Sequence, residues 1–128
     1  MRGILESRAA NCYEIAEKLC RGNFEEKEKA IDFYRHAGMI YQILGNEQSE
    51  FLFYAANCYY NAFLLSEEIK FFDRVEIGRV TLKLVKDAIE EFKKMYKKDL
   101  IDSETFYSEI PTFIFCLSTI EEHLERLI

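Results

Sequence analysis

Few residues in this chain have the type and spacing that chemistry needs. The two histidines are His36, which follows Arg35, and His123 in Ile120-Glu121-Glu122-His123-Leu124. A helical di-iron site wants a Glu three residues before a His, on two helices. Glu121 and Glu122 precede His123 by two and one residues, so both histidines are expected to be ordinary surface residues. The four cysteines are Cys12, Cys20, Cys58 and Cys116, and none forms a Cys-x-x-Cys pair. That excludes a zinc knuckle or a redox pair by spacing. They read as reduced thiols that pack as small hydrophobes. No glycine-rich phosphate loop and no Ser/His/Asp order is present. The chain is expected to be no enzyme, with no catalytic residue, no metal and no cofactor.

The asparagines carry more. Asn11 and Asn57 lie inside apolar, helix-like segments, where asparagine is a poor helix former. They would either line a face that bonds a partner's backbone or bond a neighbouring helix end; both readings stay open. With Tyr13 and Tyr60 they form the candidate partner-binding set. A second candidate is a basic stripe at three-and-four spacing: Arg79, Lys83, Lys86, Lys93 and Lys97, interrupted by Glu90. It is either a solvated helix face or a docking strip for an acidic partner, an anionic membrane surface or RNA.

The elements that must position these residues are set by composition and periodicity. The 128 residues include one proline and five glycines, 49% are apolar, and 17 basic against 23 acidic residues leave a net charge of −6. A disordered chain is excluded by the apolar content. Many short strands are excluded by the scarcity of turn residues. One domain over 1–128 is the reading for this length. The acidic balance argues against general nucleic-acid binding. No run reaches a membrane span, and the N-terminus lacks a signal-peptide core, so a cytoplasmic location is expected.

Three-and-four apolar spacing gives five main helices. The first covers about 2–21 and the second about 24–44. Gly22 and Gly45 are expected to end them in the left-handed conformation, with Asn23 and Asn46 each capping the next helix; Glu26, three residues after Asn23, comes close to a capping box. The third starts near residue 48 and runs to about 72. It is apolar almost all round, so it lies centrally or also forms an oligomer interface. Ser66, or Asp73 with Glu76, could cap the fourth helix, placed at about 74–98. The last helix is expected to start from Ser108 with Pro111 in its first turn, after a short separate turn at 104–107. Gly38 and Gly78 fall inside helices, where close packing is their expected use.

The chain also repeats itself. Ala9-Ala10-Asn11-Cys12-Tyr13 recurs as Ala55-Ala56-Asn57-Cys58-Tyr59, and an alanine follows three residues later in both. Ala30-Ile31-Asp32-Phe33-Tyr34-Arg35 has an echo in Ala88-Ile89-Glu90-Glu91-Phe92-Lys93. The first pattern lies on helices one and three, the second on helices two and four. That is the signature of a repeated hairpin.

Ala30-x-x-x-Tyr34-x-x-Ala37 resembles the second helix of a tetratricopeptide repeat. The Ala-Ala-Asn-Cys-Tyr-x-x-Ala strings resemble the first helix of repeats in the soluble NSF attachment proteins. The resemblance spans about residues 9–98. It implies an all-α right-handed stack of antiparallel hairpins, and a non-catalytic scaffold that binds another protein or peptide. No binding residue of that family carries over to this chain. Residues 54–63 also resemble the central helix of HEPN helical-bundle domains, which implies a closed bundle that senses nucleic acid or nucleotide. The Arg and His that nucleases of that family carry four to six residues apart are not found here. A third reading is an oligomeric structural protein, suggested by the apolar third helix.

Overall fold

The computed structural model describes residues 2–127. It is an all-α stack of five helices: α1 (Arg2–Leu19), α2 (Phe24–Gly45), α3 (Phe51–Glu68), α4 (Arg74–Lys97) and α5 (Ser103–Leu127). Close backbone packing joins each helix to the next in sequence, α1 to α2 through α4 to α5. Among the described residues the first and fourth helices make no such close packing, so the stack is open and not closed into a bundle. Side chains add contacts one helix further on. Phe53 of α3 meets Phe113 of α5 at 5.8 Å between ring centroids. Arg35 of α2 pairs with Asp73, at the start of α4, at 3.3 Å. The main core runs from Ala16 and Ile31 through Phe63 and Ile77 to Ile120. Its centre is α3, as the apolar composition of that helix requires.

The α1–α2 junction is the one its sequence encodes. Asn23 accepts from the Glu26 amide at 2.9 Å, and the Glu26 carboxylate accepts from the Asn23 amide at 3.1 Å. This is a complete capping box. The glycines do something other than expected. No described glycine has a positive φ. At Gly22 a Cβ would lie 2.6 Å from the Glu26 carboxyl group, so the missing side chain leaves room for the box.

Left-handed backbone falls instead at Lys70 (φ 53°) and Asp99 (φ 58°). Each closes a helix. The Phe71 amide bonds the Ser66 carbonyl at 2.8 Å and the Lys70 amide bonds Glu67 at 3.3 Å; the Leu100 amide bonds Met95 at 2.9 Å and the Asp99 amide bonds Tyr96 at 3.1 Å. Both are Schellman closures without glycine. They end α3 at Glu68, four residues before the expected boundary, and α4 at Lys97.

Three expected caps are used otherwise. Asn46 ends α2, its amide bonding the Ile43 and Leu44 carbonyls, and does not start α3. Ser66 is fully buried inside α3 and donates to the Phe63 carbonyl at 2.7 Å. Asp73 precedes α4 but makes no side-chain cap, because its carboxylate is held by Arg35.

The last helix starts earlier than expected and Pro111 lies in its interior. Asp102 is the cap, accepting from the Thr105 amide at 2.7 Å. Ser108 donates to the Thr105 carbonyl and caps nothing. The extra turns are anchored by aromatic packing. Phe106 stacks on Tyr96 at 4.3 Å and on Phe92 at 5.5 Å. That burial offsets the amide that Pro111 lacks, and Pro111 is exposed, so the carbonyl one turn back can meet water.

Candidate functional site

The repeated pentapeptide occupies matching helix faces. Ala9, Cys12 and Ala16 are buried in α1, and their counterparts Ala55, Cys58 and Ala62 are buried in α3. Asn11 and Asn57 are both exposed. The match fails at two positions. Ala10 is exposed where Ala56 is buried, and Tyr13 is half-buried where Tyr59 is buried. The reason is position: α1 is an edge helix packed mainly on α2, whereas α3 has neighbours on both sides.

Of the candidate partner-binding residues, three converge. Asn57 lines two concavities. One, of about 190 Å³, lies between α1, α2 and α3 and is lined by Tyr13, Tyr41, Tyr54, Asn57 and Cys58. The other, of about 100 Å³, lies between α3, α4 and α5, where Tyr60, Phe53, Phe113 and Cys116 surround Asn57. Tyr13, Asn57 and Tyr60 therefore share one face, crossing α1, α3 and α5. Asn11 is not on it. It lines a shallow depression on the other side of α1, with Ile4, Arg8 and Ile15. A step of two residues separates Asn11 from Tyr13, about 200° around a helix.

The phenylalanine-lined concavity is apolar, and the tyrosine-lined one is nearly half polar. Burial raises the Tyr13 pKa, interaction with Glu17 raises it further, and the Asn57 amide opposes the shift. Burial likewise raises Tyr60, with Cys116 adding to it and Thr119 opposing. Cys58, under the first concavity, is pushed up to about 12 by burial and then by Cys12 and Glu17. Such a thiol is protonated at neutral pH and is no nucleophile. Sequence reasoning missed Tyr41, Tyr54, Phe53 and Phe113. They have no common spacing along the chain, and only packing brings them together.

The basic stripe is exposed along its whole length. Lys83 pairs with Asp87 at 3.0 Å and Lys93 meets Glu90 at 3.8 Å, both within α4. Arg79 borders a depression shared with Glu121 and Glu125 of α5. Acids thus interleave the stripe in space as well as in sequence.

One histidine departs from expectation. His36 is exposed, but His123 is half-buried. Its Nδ1 lies 3.3 Å from Glu67 of α3, and its ring meets Phe63 edge-on at 5.8 Å. It tethers α5 to α3. Among the described residues no three His, Cys, Asp or Glu side chains converge as a metal site would need. No described helix is long and apolar enough to cross a membrane.

The fold and the face together define a class, an open all-α stack of helical hairpins with a tyrosine-rich face. Comparison with protein-family models, curated proteins and solved structures finds no match to this chain.

Proposed function

We propose that this chain is a non-catalytic protein-interaction module of helical-repeat type, resembling the tetratricopeptide and attachment-protein hairpins. It binds a peptide or helix of another protein across the α1, α3 and α5 face. The observation that carries this reading is Asn57. An exposed amide in mid-helix lies where two concavities meet, one tyrosine-lined and one phenylalanine-lined. An apolar cup beside one with convergent polar groups is what a binding face offers. An asparagine amide can both donate to and accept from a partner's backbone. The open stack favours this reading over a closed nucleotide-sensing bundle. Its acidic net charge and interleaved α4 stripe give no reason to add nucleic acid as a partner.

The test is a pull-down from the native host with the full chain, repeated with Asn57→Ala. Alanine is the better helix former by up to about 0.7 kcal/mol. That gain offsets most of a lost exposed hydrogen bond of about 0.5–1.5 kcal/mol. The variant is therefore expected to melt within a few degrees of the parent while losing its partner several-fold. Unchanged partner binding with lowered stability would make Asn57 a structural residue and sink the proposal.

Self-association is a second reading, supported by α5. Tyr107, Ile114 and Phe115 are 65%, 50% and 68% exposed, on either side of Pro111. A second copy set against these side chains would cover them. Mass measurement in solution decides it: a strict monomer at high concentration removes this reading.

A further inference from the structure

The concavity between the first three helices has a composition that selects its ligand. Three tyrosines line it, one from each helix: Tyr13, Tyr41 and Tyr54. The Tyr41 and Tyr54 rings adjoin at 5.4 Å between centroids and 49° between planes. Phe51 braces both, stacked on Tyr41 at 5.9 Å and tilted on Tyr54 at 5.8 Å. The walls of the cup are therefore held by packing and not by solvent-exposed loops. At about 190 Å³ it is smaller than the pockets that enclose whole drug-sized molecules, so it suits one end group of a ligand.

The carboxylate charges that reach Tyr13 and Tyr41 come from Glu17 and Glu6. No lysine or arginine is among the lining residues. The nearby Arg8 borders depressions on the other side of Cys12. An anion would meet aromatic rings, with no cation among the lining residues to hold it. A cation set against a ring face would meet the negative side of its quadrupole. A primary ammonium is strongly hydrated and wants three acceptors. A quaternary head has no N–H to satisfy and a broad apolar surface to bury against rings.

We propose that the Tyr13–Tyr41–Tyr54 cup is a binding site for an alkylammonium group, taking the quaternary form most tightly. The cup is one of the two concavities of the face proposed above, but its binding of a small amine is tested without any peptide, so the two readings fail separately. A free quaternary amine and a trimethylated lysine side chain of a protein present the same head group.

The test is a titration of the full chain, followed by the tyrosine ring resonances in NMR. The probes are choline, its neutral isostere 3,3-dimethylbutan-1-ol, and the N-acetyl methylamide of trimethyllysine. Choline is expected to shift the Tyr13, Tyr41 and Tyr54 signals saturably and to bind about tenfold more tightly than the isostere. The lysine derivative is expected to compete for the same signals. Whichever of the two cations binds more tightly names the source. Tyr54→Leu is expected to weaken choline about tenfold, and Tyr54→Phe, which keeps the ring face, to stay within about twofold. Glu17→Gln on the exposed rim of α1 is expected to weaken it several-fold with no change in melting. Equal affinity for choline and the neutral isostere overturns the proposal. So does an absence of saturation by about 100 mM choline, or an equal loss in Tyr54→Phe and Tyr54→Leu with melting unchanged.

Discussion

Gly78 gives a sharp test of how α3, α4 and α5 meet. In an open helix, glycine to alanine gains about 1 kcal/mol. At Gly78 the new Cβ would lie 2.7 Å from Leu124 Cδ2, and 2.8 and 3.3 Å from two ring carbons of Phe63. Ordinary carbon contacts are about 3.5–4.0 Å, so something must move by close to 1 Å. Phe63 is fully buried at the centre of the stack, with His123 against its edge. Leu124 is 6% exposed, so its methyl must shift within the α4–α5 seam. Overpacking of this kind costs about 1–3 kcal/mol. Set against the propensity gain, Gly78→Ala should lose about 1 kcal/mol, or about 3–6 °C in Tm for a chain of this size. Thermal unfolding followed by circular dichroism measures it. Gly3→Ala is the control, since nothing lies within 4 Å of its Cβ. It should be neutral or slightly stabilising. Shortening Leu124 to alanine in the Gly78→Ala background should cost less than it does alone, because the two share one space. A Gly78→Ala variant that melts above the parent would refute the argument. It would mean that Leu124 is not seated on α4.

Other outcomes are expected from the same structure. Lys70 holds a left-handed backbone that costs a non-glycine residue roughly 1–2 kcal/mol. Its substitution Lys70→Gly should raise stability by up to about 1 kcal/mol in urea unfolding, whereas Lys70→Val should lower it. Pro111 is exposed inside α5, so Pro111→Ala should raise Tm, with a ceiling of about 3 kcal/mol set by helix propensity. An unchanged or lower Tm would show that the shape proline gives α5 is needed for its packing. The pH dependence has a definite sign. Cys58 is pushed up to about 12 in the folded chain from an ordinary value near 9, mainly by burial. Its stabilising contribution is full below about pH 9, where both states are protonated, and is lost as pH rises towards 12. Alkaline unfolding in that window should be shallower in Cys58→Ala than in the parent, even though the variant starts less stable.

Particular residues show how much of the fold was legible in the sequence. The apolar stripes placed five helices, and the Asn23–Glu26 spacing located the α1–α2 junction with its capping box. A stripe and a capping box are local patterns, readable within one or two turns of chain. The helix ends at Lys70 and Asp99 were not legible. Neither lysine nor aspartate marks a left-handed position as glycine does, and the burial of the neighbouring Phe71, 8% exposed, offsets that strain only once the stack exists. The start of α5 was misplaced for the same reason. A proline read alone marks a first turn, but Phe106 packed on Tyr96 and Phe92 extends the helix before it. Asp73 and Ser66 have the types of helix caps, but in the fold Arg35 and the Phe63 carbonyl hold them.

The candidate face divides in the same way. The recurrence of Ala-Ala-Asn-Cys-Tyr by itself determined that alanine, cysteine and asparagine take matching positions on α1 and α3, since side-chain direction repeats with the helical period, but it left open whether the asparagines face solvent or a neighbouring helix. It could not determine that Asn57 lies between two cups while Asn11 lies on the far side of an edge helix. Nor could it collect Tyr13, Tyr41 and Tyr54 into one. Those outcomes depend on which helix has neighbours on both sides, and a chain's neighbours across the stack are decided by packing, not by the order of its residues.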